Sequence, residues 1–292
     1  MSLGALAVGA LAFLTGCDAY DVGKPFDGFG WPQGGKTAQS GQMYEMWIWS
    51  VVAAFAVGFF VWGLIFWCTI AYRKRAGQTE LPVQTRFNLP IEVLYTVLPF
   101  LVIAVLFYYT AVIQTNVNKV SANPDVTVEV VAFKWNWQFN YKTGPDTDTK
   151  ASTVATTTGA SDYIPVLVVP TGKTIRFEET SKDVIHSFWV PEMLFKRDVF
   201  PGNVRNVFEV TITEEGSYVG RCAELCGTYH SMMNFEVRAV SPEQYEQFLA
   251  AKKAGKTTPQ ALEAIGQPAY ATTTVPFNVK QQEQQVPTNL GN

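Results

Sequence analysis

The stretch Cys222-Ala223-Glu224-Leu225-Cys226-Gly227-Thr228-Tyr229-His230-Ser231-Met232-Met233 gathers two thiols, an imidazole and two thioethers on one short segment. The chain has only 2 histidines in 292 residues, and the other is His186, in Asp183-Val184-Ile185-His186-Ser187-Phe188-Trp189. Soft sulfur donors together with imidazole select copper over hard cations. A mononuclear blue-copper site takes two histidines, one cysteine and a weak axial methionine. Here a second cysteine follows four positions after the first. Two thiolates on one tight loop can each bridge two metal ions, with one histidine terminating each. Met233 then serves as a weak axial ligand, and a backbone carbonyl between the cysteines serves the other ion. Such a centre passes single electrons with little rearrangement. Two simpler readings stand beside it: a Cys222–Cys226 disulfide, which an exported segment permits, and a zinc site shared with the histidines. His186, His230 and Met233 together weigh toward copper.

Around this loop, from Pro124 onward, the hydrophobic period is that of short strands. Residues 126–131 alternate like a half-buried strand, and further runs cover 164–169, 174–177, 204–210, 217–221 and 234–240. Pro170-Thr171-Gly172, Pro201-Gly202 and Glu215-Gly216 punctuate them, which predicts an all-β sandwich or barrel. Phe133-Lys134-Trp135-Asn136-Trp137-Gln138-Phe139 reads as one strand with Trp135 and Trp137 on the same face. Residues 143–159 read as a loop or hairpin insertion, and Lys196-Arg197-Asp198 as a charged loop after the His186 strand.

Upstream, the chain is a membrane protein by pattern. Charged residues are only 16% and aromatics 14% of the sequence. Residues 46–72 and 93–118 carry no charge and are long enough to cross the hydrocarbon core. Trp47, Trp49, Trp67 and Tyr72 mark the interfaces. Arg73-Lys74-Arg75 and Arg86 lie between the spans, so this loop is expected in the cytoplasm and both flanks outside a bacterial cell membrane. Glu92, at the cytoplasmic edge of the second span, suits a helix N-terminus electrostatically and, as an ionisable group at a membrane boundary, is a functional candidate. Residues 3–14 form a short apolar run ending in Leu14-Thr15-Gly16-Cys17, a signal-peptide core with Cys17 as the expected lipidated N-terminus. The net charge of −3 says little about nucleic acid, but no basic patch with interleaved aromatics is present, so no nucleic-acid partner is expected. Four cysteines are too few for a disulfide scaffold. Ser241-Pro242 and Thr258-Pro259 open two short C-terminal helices, and the tail from Ala269 reads as flexible or draped on another subunit.

The pattern C-x-E-x-C-G-x-x-H-x-x-M, preceded by D-V-x-H-S-F/W-x-V-P, resembles subunit II of haem-copper cytochrome c oxidases, and the resemblance covers about residues 43–240. It implies a two-helix transmembrane hairpin plus an all-β cupredoxin-like Greek-key barrel, which can bring His186 from one strand beside the loop 222–233. It implies a dinuclear copper-A centre of two copper ions held by His186, Cys222, the Glu224 carbonyl, Cys226, His230 and Met233. The Glu224 side chain would face a magnesium ion shared with subunit I. By the same resemblance Trp135 lies between the cytochrome c haem and copper, with Lys134 where many relatives have Gln. Glu92 lies at the mouth of a proton-uptake path, and Arg197 and Asp198 face subunit I near haem propionates. The implied activity is that of the electron-entry subunit of a proton-pumping oxidase, with oxygen reduced to water at haem in subunit I. Metal-free hairpin-and-barrel subunits of quinol oxidases lack the ligands this chain carries, and a copper chaperone needs no Glu92 segment. The lipobox, Lys134, the insertion and the long tail look most like actinobacterial aa3-type members. Those imply other oxidase subunits as partners and a membrane-bound multihaem cytochrome c of a bc complex as donor, in a supercomplex. The expected division is 1–16 signal peptide, 17–43 external segment, 44–118 transmembrane hairpin, 119–240 external copper-A domain, and 241–292 C-terminal helices and flexible tail.

Overall fold

The computed structural model describes residues 35–81, 84–145 and 151–276. The stretch expected to be a signal peptide, and Cys17, lie outside the described residues. Two long apolar helices come first: α1, Ala38–Ala71, and α2, Leu89–Val117. Each has a mean hydropathy of 2.3 over its most apolar window and is long enough to cross a membrane. Their large side chains point outward, with Phe59, Trp67 and Phe100 exposed, as suits a surface that meets lipid or another membrane protein rather than its own core. Asn88 caps α2 through its side chain, with Pro90 in the first turn.

Helix α1 starts at Ala38, inside the span expected to be an irregular external segment. The reason is local. Thr37 and Ser40 form a reciprocal capping box, and Thr37 bridges Ile212 of the β domain. Ala38 N–H donates to Thr211 O at 2.9 Å, and Thr213 N–H to Lys36 O at 3.0 Å. The first turn of α1 is therefore stitched to the domain it precedes. Beyond the end of α2, the Arg176–Glu209 ion pair, 2.7 Å apart and buried, receives the outgoing chain: Ser121 N–H donates to Glu209 at 2.9 Å.

The rest is a β sandwich. Its strands are β1 Val126–Phe133, β2 Asn136–Lys142, β3 Thr153–Thr158, β4 Val166–Pro170, β5 Ile175–Ser181, β6 His186–Val190, β7 Phe195–Val199, β8 Asn206–Val210, β9 Gly216–Cys222 and β10 Asn234–Val240. One sheet has the order β3-β2-β1-β5-β8 and the other β4-β10-β9-β6-β7. Pairs β1/β5 and β10/β4 are parallel, and the remaining neighbours run antiparallel. Trp137, Phe139, Phe177, Phe188, Phe208 and Phe235 fill the space between the sheets. Phe188 stacks on Phe235 with centroids 4.6 Å apart, so β6 and β10 are fixed to each other by the core as well as through β9. Helices α3 (Pro242–Lys253), with the Ser241 cap and early proline read from the sequence, and α4 (Thr258–Ala264), capped by Thr257 one residue before the Thr258-Pro259 pair, close one edge. Phe248 of α3 meets Tyr141 there at 5.8 Å.

Three local expectations change, and a fourth resolves to the hairpin among its two readings. The aromatic run 133–139 is two strands: β1 ends at Phe133, which pairs with Asn136, so Lys134 and Trp135 form the tight turn between them. Lys196, Arg197 and Asp198 lie on strand β7, paired with Trp189, Phe188 and Ser187, because β7 is an edge strand whose exposed side tolerates charge. The 143–159 segment includes β3, which pairs with β2 as a hairpin. Finally, residues 267–273 of the tail are bound to β10. Arg238 donates to Pro268 O and Tyr270 O at 3.2 Å, and Glu236 accepts from Thr272 and Thr273 N–H at 2.6 and 2.8 Å.

Candidate metal centre

His186 opens β6 and Cys222 closes β9, and the Phe188–Cys222 pairing sets these strands side by side. After Cys222 the chain loops out and returns to β10 through a 3-10 turn at His230–Met232. Two backbone bonds close the loop: Cys222 N–H to Met233 O at 3.1 Å and Ala223 N–H to Ser187 O at 3.0 Å. Gly227 has φ +124°, and a Cβ there would lie 3.1 Å from the Trp135 indole nitrogen. Glycine therefore lets the loop adopt this backbone while lying flat on the ring.

The donor atoms converge. Cys222 Sγ and Cys226 Sγ are 3.8 Å apart, unbonded and buried. A disulfide holds its sulfurs at about 2.05 Å, so these are two free thiols. His186 Nδ1 is 3.9 Å from Cys222 Sγ, and His230 Nδ1 is 3.6 Å from Cys226 Sγ. One imidazole thus stands at each end of the sulfur pair. Met233 Sδ lies 3.8 Å from Cys226 Sγ, and the Glu224 carbonyl oxygen 3.2 Å from Cys222 Sγ. The donor atoms of His186, Cys222 and Cys226 all fall within 4.8 Å of one another. These sulfur, nitrogen and carbonyl donors suit a soft or borderline transition metal and would poorly satisfy a hard cation.

Burial favours the neutral forms of Cys226 and His186. Burial, then the neighbouring Cys222, pushes the Cys226 thiol up to about 12. Burial also pulls the His186 imidazole below its usual range, against the opposing hydrogen bond to Asp183. Asp183, part of the D-V-x-H pattern but given no role from the sequence, holds one of the donor residues. Its Oδ1 is 2.8 Å from His186 Nε2 and its Oδ2 accepts from Lys134 N–H at 2.7 Å. With the ring proton directed to this carboxylate, Nδ1 presents its lone pair to the sulfurs. Desolvation resists ionisation of Asp183, but hydrogen bonds from Lys134, His186 and Val184 outweigh it and hold its carboxyl below the ordinary range. The same carboxylate ties the turn bearing Trp135 to the His186 strand. The available signal was Asp183's position three residues before a histidine.

Both tryptophans of the aromatic run touch the loop, from different elements. Trp135 Nε1 donates to Cys226 O at 3.2 Å, and its ring meets Tyr229 edge-on at 4.9 Å. Trp137, buried on β2, donates to Met233 O at 3.2 Å. Arg197 and Asp198 are adjacent in sequence but diverge in contact: Arg197 donates to Asn118 at the end of α2 (2.7 Å), and Asp198 pairs with Lys196 (3.3 Å). Glu92 is remote from the metal donors. It accepts the Asn88 N–H at 2.9 Å, closing the first turn of α2.

Residues 126–240 match the family described as "Cytochrome C oxidase subunit II, periplasmic domain". The chain is 45% identical to a probable cytochrome c oxidase subunit 2 of Nocardia farcinica, over 94% of this chain and 87% of that protein. It is 42% identical to cytochrome c oxidase subunit 2 of Mycobacterium tuberculosis, over 96% and 88%. Among solved structures, the periplasmic domain of subunit II of cytochrome oxidase (CoxB) of Bradyrhizobium japonicum is similar at 28% identity, covering 48% of this chain and 98% of that one, with a TM-score of 0.39.

Proposed function

The chain belongs to the cytochrome c oxidase subunit II family, and from that premise we propose that it is the electron-entry subunit of the oxidase, built around a copper-A centre. The observation that carries this reading is the pair of unbonded, buried sulfurs 3.8 Å apart with an imidazole at each end. Cys222 and Cys226 would hold two copper ions as thiolate donors, with His186 and His230 as imidazole donors and Met233 and the Glu224 carbonyl as weaker ones. Six such donors exceed the four of a tetrahedral zinc site. Such a centre would supply one-electron transfer chemistry. The protein's share is to keep the donors in one geometry: strands β6, β9 and β10 fix both ends of the loop, and Asp183 and Trp137 hold ligand residues from behind. Electron paramagnetic resonance of the assembled oxidase should reveal two equivalent coppers. A single blue copper, or bound zinc, would overturn the assignment.

Electrons are proposed to enter from cytochrome c through Trp135, whose indole N–H meets the Cys226 carbonyl directly. They leave to haem in subunit I, where oxygen is reduced. Trp135→Phe keeps the ring but loses that bond. It is expected to slow electron input by at least about tenfold, equivalent to about 1.4 kcal/mol of barrier, while the copper spectrum persists. Rapid-mixing kinetics with reduced cytochrome c measures it, and unchanged input would remove Trp135 from the route.

The remaining assignments follow the same reading. The β domain stands outside the membrane and the Arg73–Arg86 loop in the cytoplasm. The Glu224 carboxylate faces a magnesium ion at the border with subunit I, and Arg197 and Asp198 lie on that border. A membrane-bound multihaem cytochrome c of a bc complex is the proposed donor, and Cys17 the proposed lipid anchor. Glu92 is proposed to load protons from the cytoplasm in addition to capping α2. Glu92→Gln, which keeps an acceptor for the Asn88 N–H, should lower turnover most at high pH. An unchanged pH profile would leave only the cap.

A further inference from the structure

Glu179 on β5 is fully buried, and both of its carboxylate oxygens lack a hydrogen-bond partner. It sits where β7 packs against β5, with Asn206 of β8 and Val130 of β1 as its register partners. The charged groups acting on it come from β7: Arg197 and Asp198. Neither is committed to it. Asp198 pairs with Lys196, and its own carbonyl accepts from Asn206 at 2.5 Å. Arg197 lies over the Phe195 ring at 4.7 Å and gives one N–H to Asn118, the residue that ends α2, while its Nε is buried without a partner. A buried carboxylate and a buried guanidinium nitrogen thus sit in one cluster, each with hydrogen-bonding capacity unused.

An ionised carboxylate stranded in such a place costs several kcal/mol, and a proton removes most of that cost. We propose that Glu179 is a proton-binding site inside the β domain, linked to the membrane hairpin through Arg197, occupied while Asn118 retains Arg197 and vacated when the guanidinium turns onto the carboxylate. The step is a simple dissociation: the carboxylic acid becomes a carboxylate, the proton passes to solvent, and the new negative charge is matched by the standing positive charge of Arg197. Burial raises the Glu179 pKa well above the carboxylate range, Arg197 opposes this and Asp198 adds to it, so the acid form prevails with Arg197 held away. Asn118 makes the switch depend on the end of a membrane helix, so a shift between hairpin and β domain would be felt as a proton bound or released. This site is independent of the metal donors, and its failure would leave the copper-A reading intact.

The test is infrared spectroscopy of the purified oxidase complex carrying wild-type chain, Glu179→Gln, Arg197→Met or Asn118→Ala. Wild type should show a protonated-carboxyl C=O band at neutral pH that is missing from E179Q. R197M, lacking the cation, should keep the band to higher pH. N118A, which frees the guanidinium, should lose it at lower pH. A second readout is stability. With the folded pKa above the unfolded one, the native state loses ground as pH rises from the usual glutamate range through the folded value. The thermal midpoint of E179Q should therefore exceed that of wild type by a margin that grows with pH. Identical infrared spectra for E179Q and wild type, with a pH-independent difference in midpoint, would overturn the site. Unmoved titrations in R197M and N118A would overturn the switch.

Discussion

Cys226→Ser is expected to abolish the dinuclear centre and with it electron input from cytochrome c. The Cys226 sulfur lies within 3.8 Å of Cys222 Sγ, His230 Nδ1 and Met233 Sδ, and its carbonyl takes the Trp135 N–H. A serine hydroxyl is hard, stays protonated and cannot bridge two soft ions. Losing an outer-shell partner alone costs about 10–100-fold in metal affinity, so losing a bridging ligand should cost well beyond about a hundredfold. The fold should survive, because the change leaves a small buried hydroxyl worth about 1–3 kcal/mol if unsatisfied and all strands keep their pairing. Cys68→Ser is the control: that thiol is exposed on α1, far in sequence from the loop, and should change nothing at the centre. Copper content and the electron paramagnetic resonance signal of the assembled complex decide the matter. Two equivalent coppers persisting in C226S would defeat the bridging role and the function built on it.

The clustering of the sulfur and imidazole donors was legible because such donors are scarce in this chain and fall at fixed spacing, and the two long helices because a charge-free span of membrane length has few other uses. The β domain was legible from period-two runs between turn signals. What escaped were features set by pairing rather than composition. Alternating aromatics from Phe133 to Phe139 mimic one strand, and nothing in Lys134-Trp135 announces a turn, since neither is a usual turn residue. Only the pairing of Phe133 with Asn136 puts Trp135 at a tip where it can reach Cys226. Lys196-Arg197-Asp198 has the composition of a loop but the pairing of an edge strand. The early start of α1 at Ala38 depends on Ile212 and Thr211, which are distant in sequence. Asp183 was visible as a residue, yet its two-way grip on His186 and on the Lys134 turn exists only once β1 and β6 are placed.

Arg238→Ala should cause the largest loss of stability outside the metal site. Glu236 and Arg238 are two positions apart on β10, are essentially inaccessible, and pair with Arg238 Nε 3.1 Å from Glu236 Oε1. Their remaining capacity is turned on the chain's own tail: the guanidinium serves Gln267, Pro268 and Tyr270, and the second carboxylate oxygen takes Thr272 and Thr273. Removing the arginine leaves a buried carboxylate without its cation, which costs about 3–5 kcal/mol. That is a large share of the roughly 5–15 kcal/mol by which a domain is stable. Replacing both residues together, Glu236→Leu with Arg238→Met, should cost much less, because no charge is then stranded. The tail should still detach in the double variant, since its hydrogen-bond partners are gone. Pro276, at the end of the described tail, borders a cavity of about 340 Å³ lined by Trp135, Tyr229 and Met232, so a freed tail alters the rim of the proposed electron-entry surface. Calorimetry and limited proteolysis of the assembled complex separate the two effects. The single variant should melt early and be cut near Gln267–Thr273, whereas the double variant should be cut there yet melt close to wild type. An R238A protein with an unchanged melting temperature and an intact tail would show that the pair neither stabilises the domain nor clamps the chain that follows it.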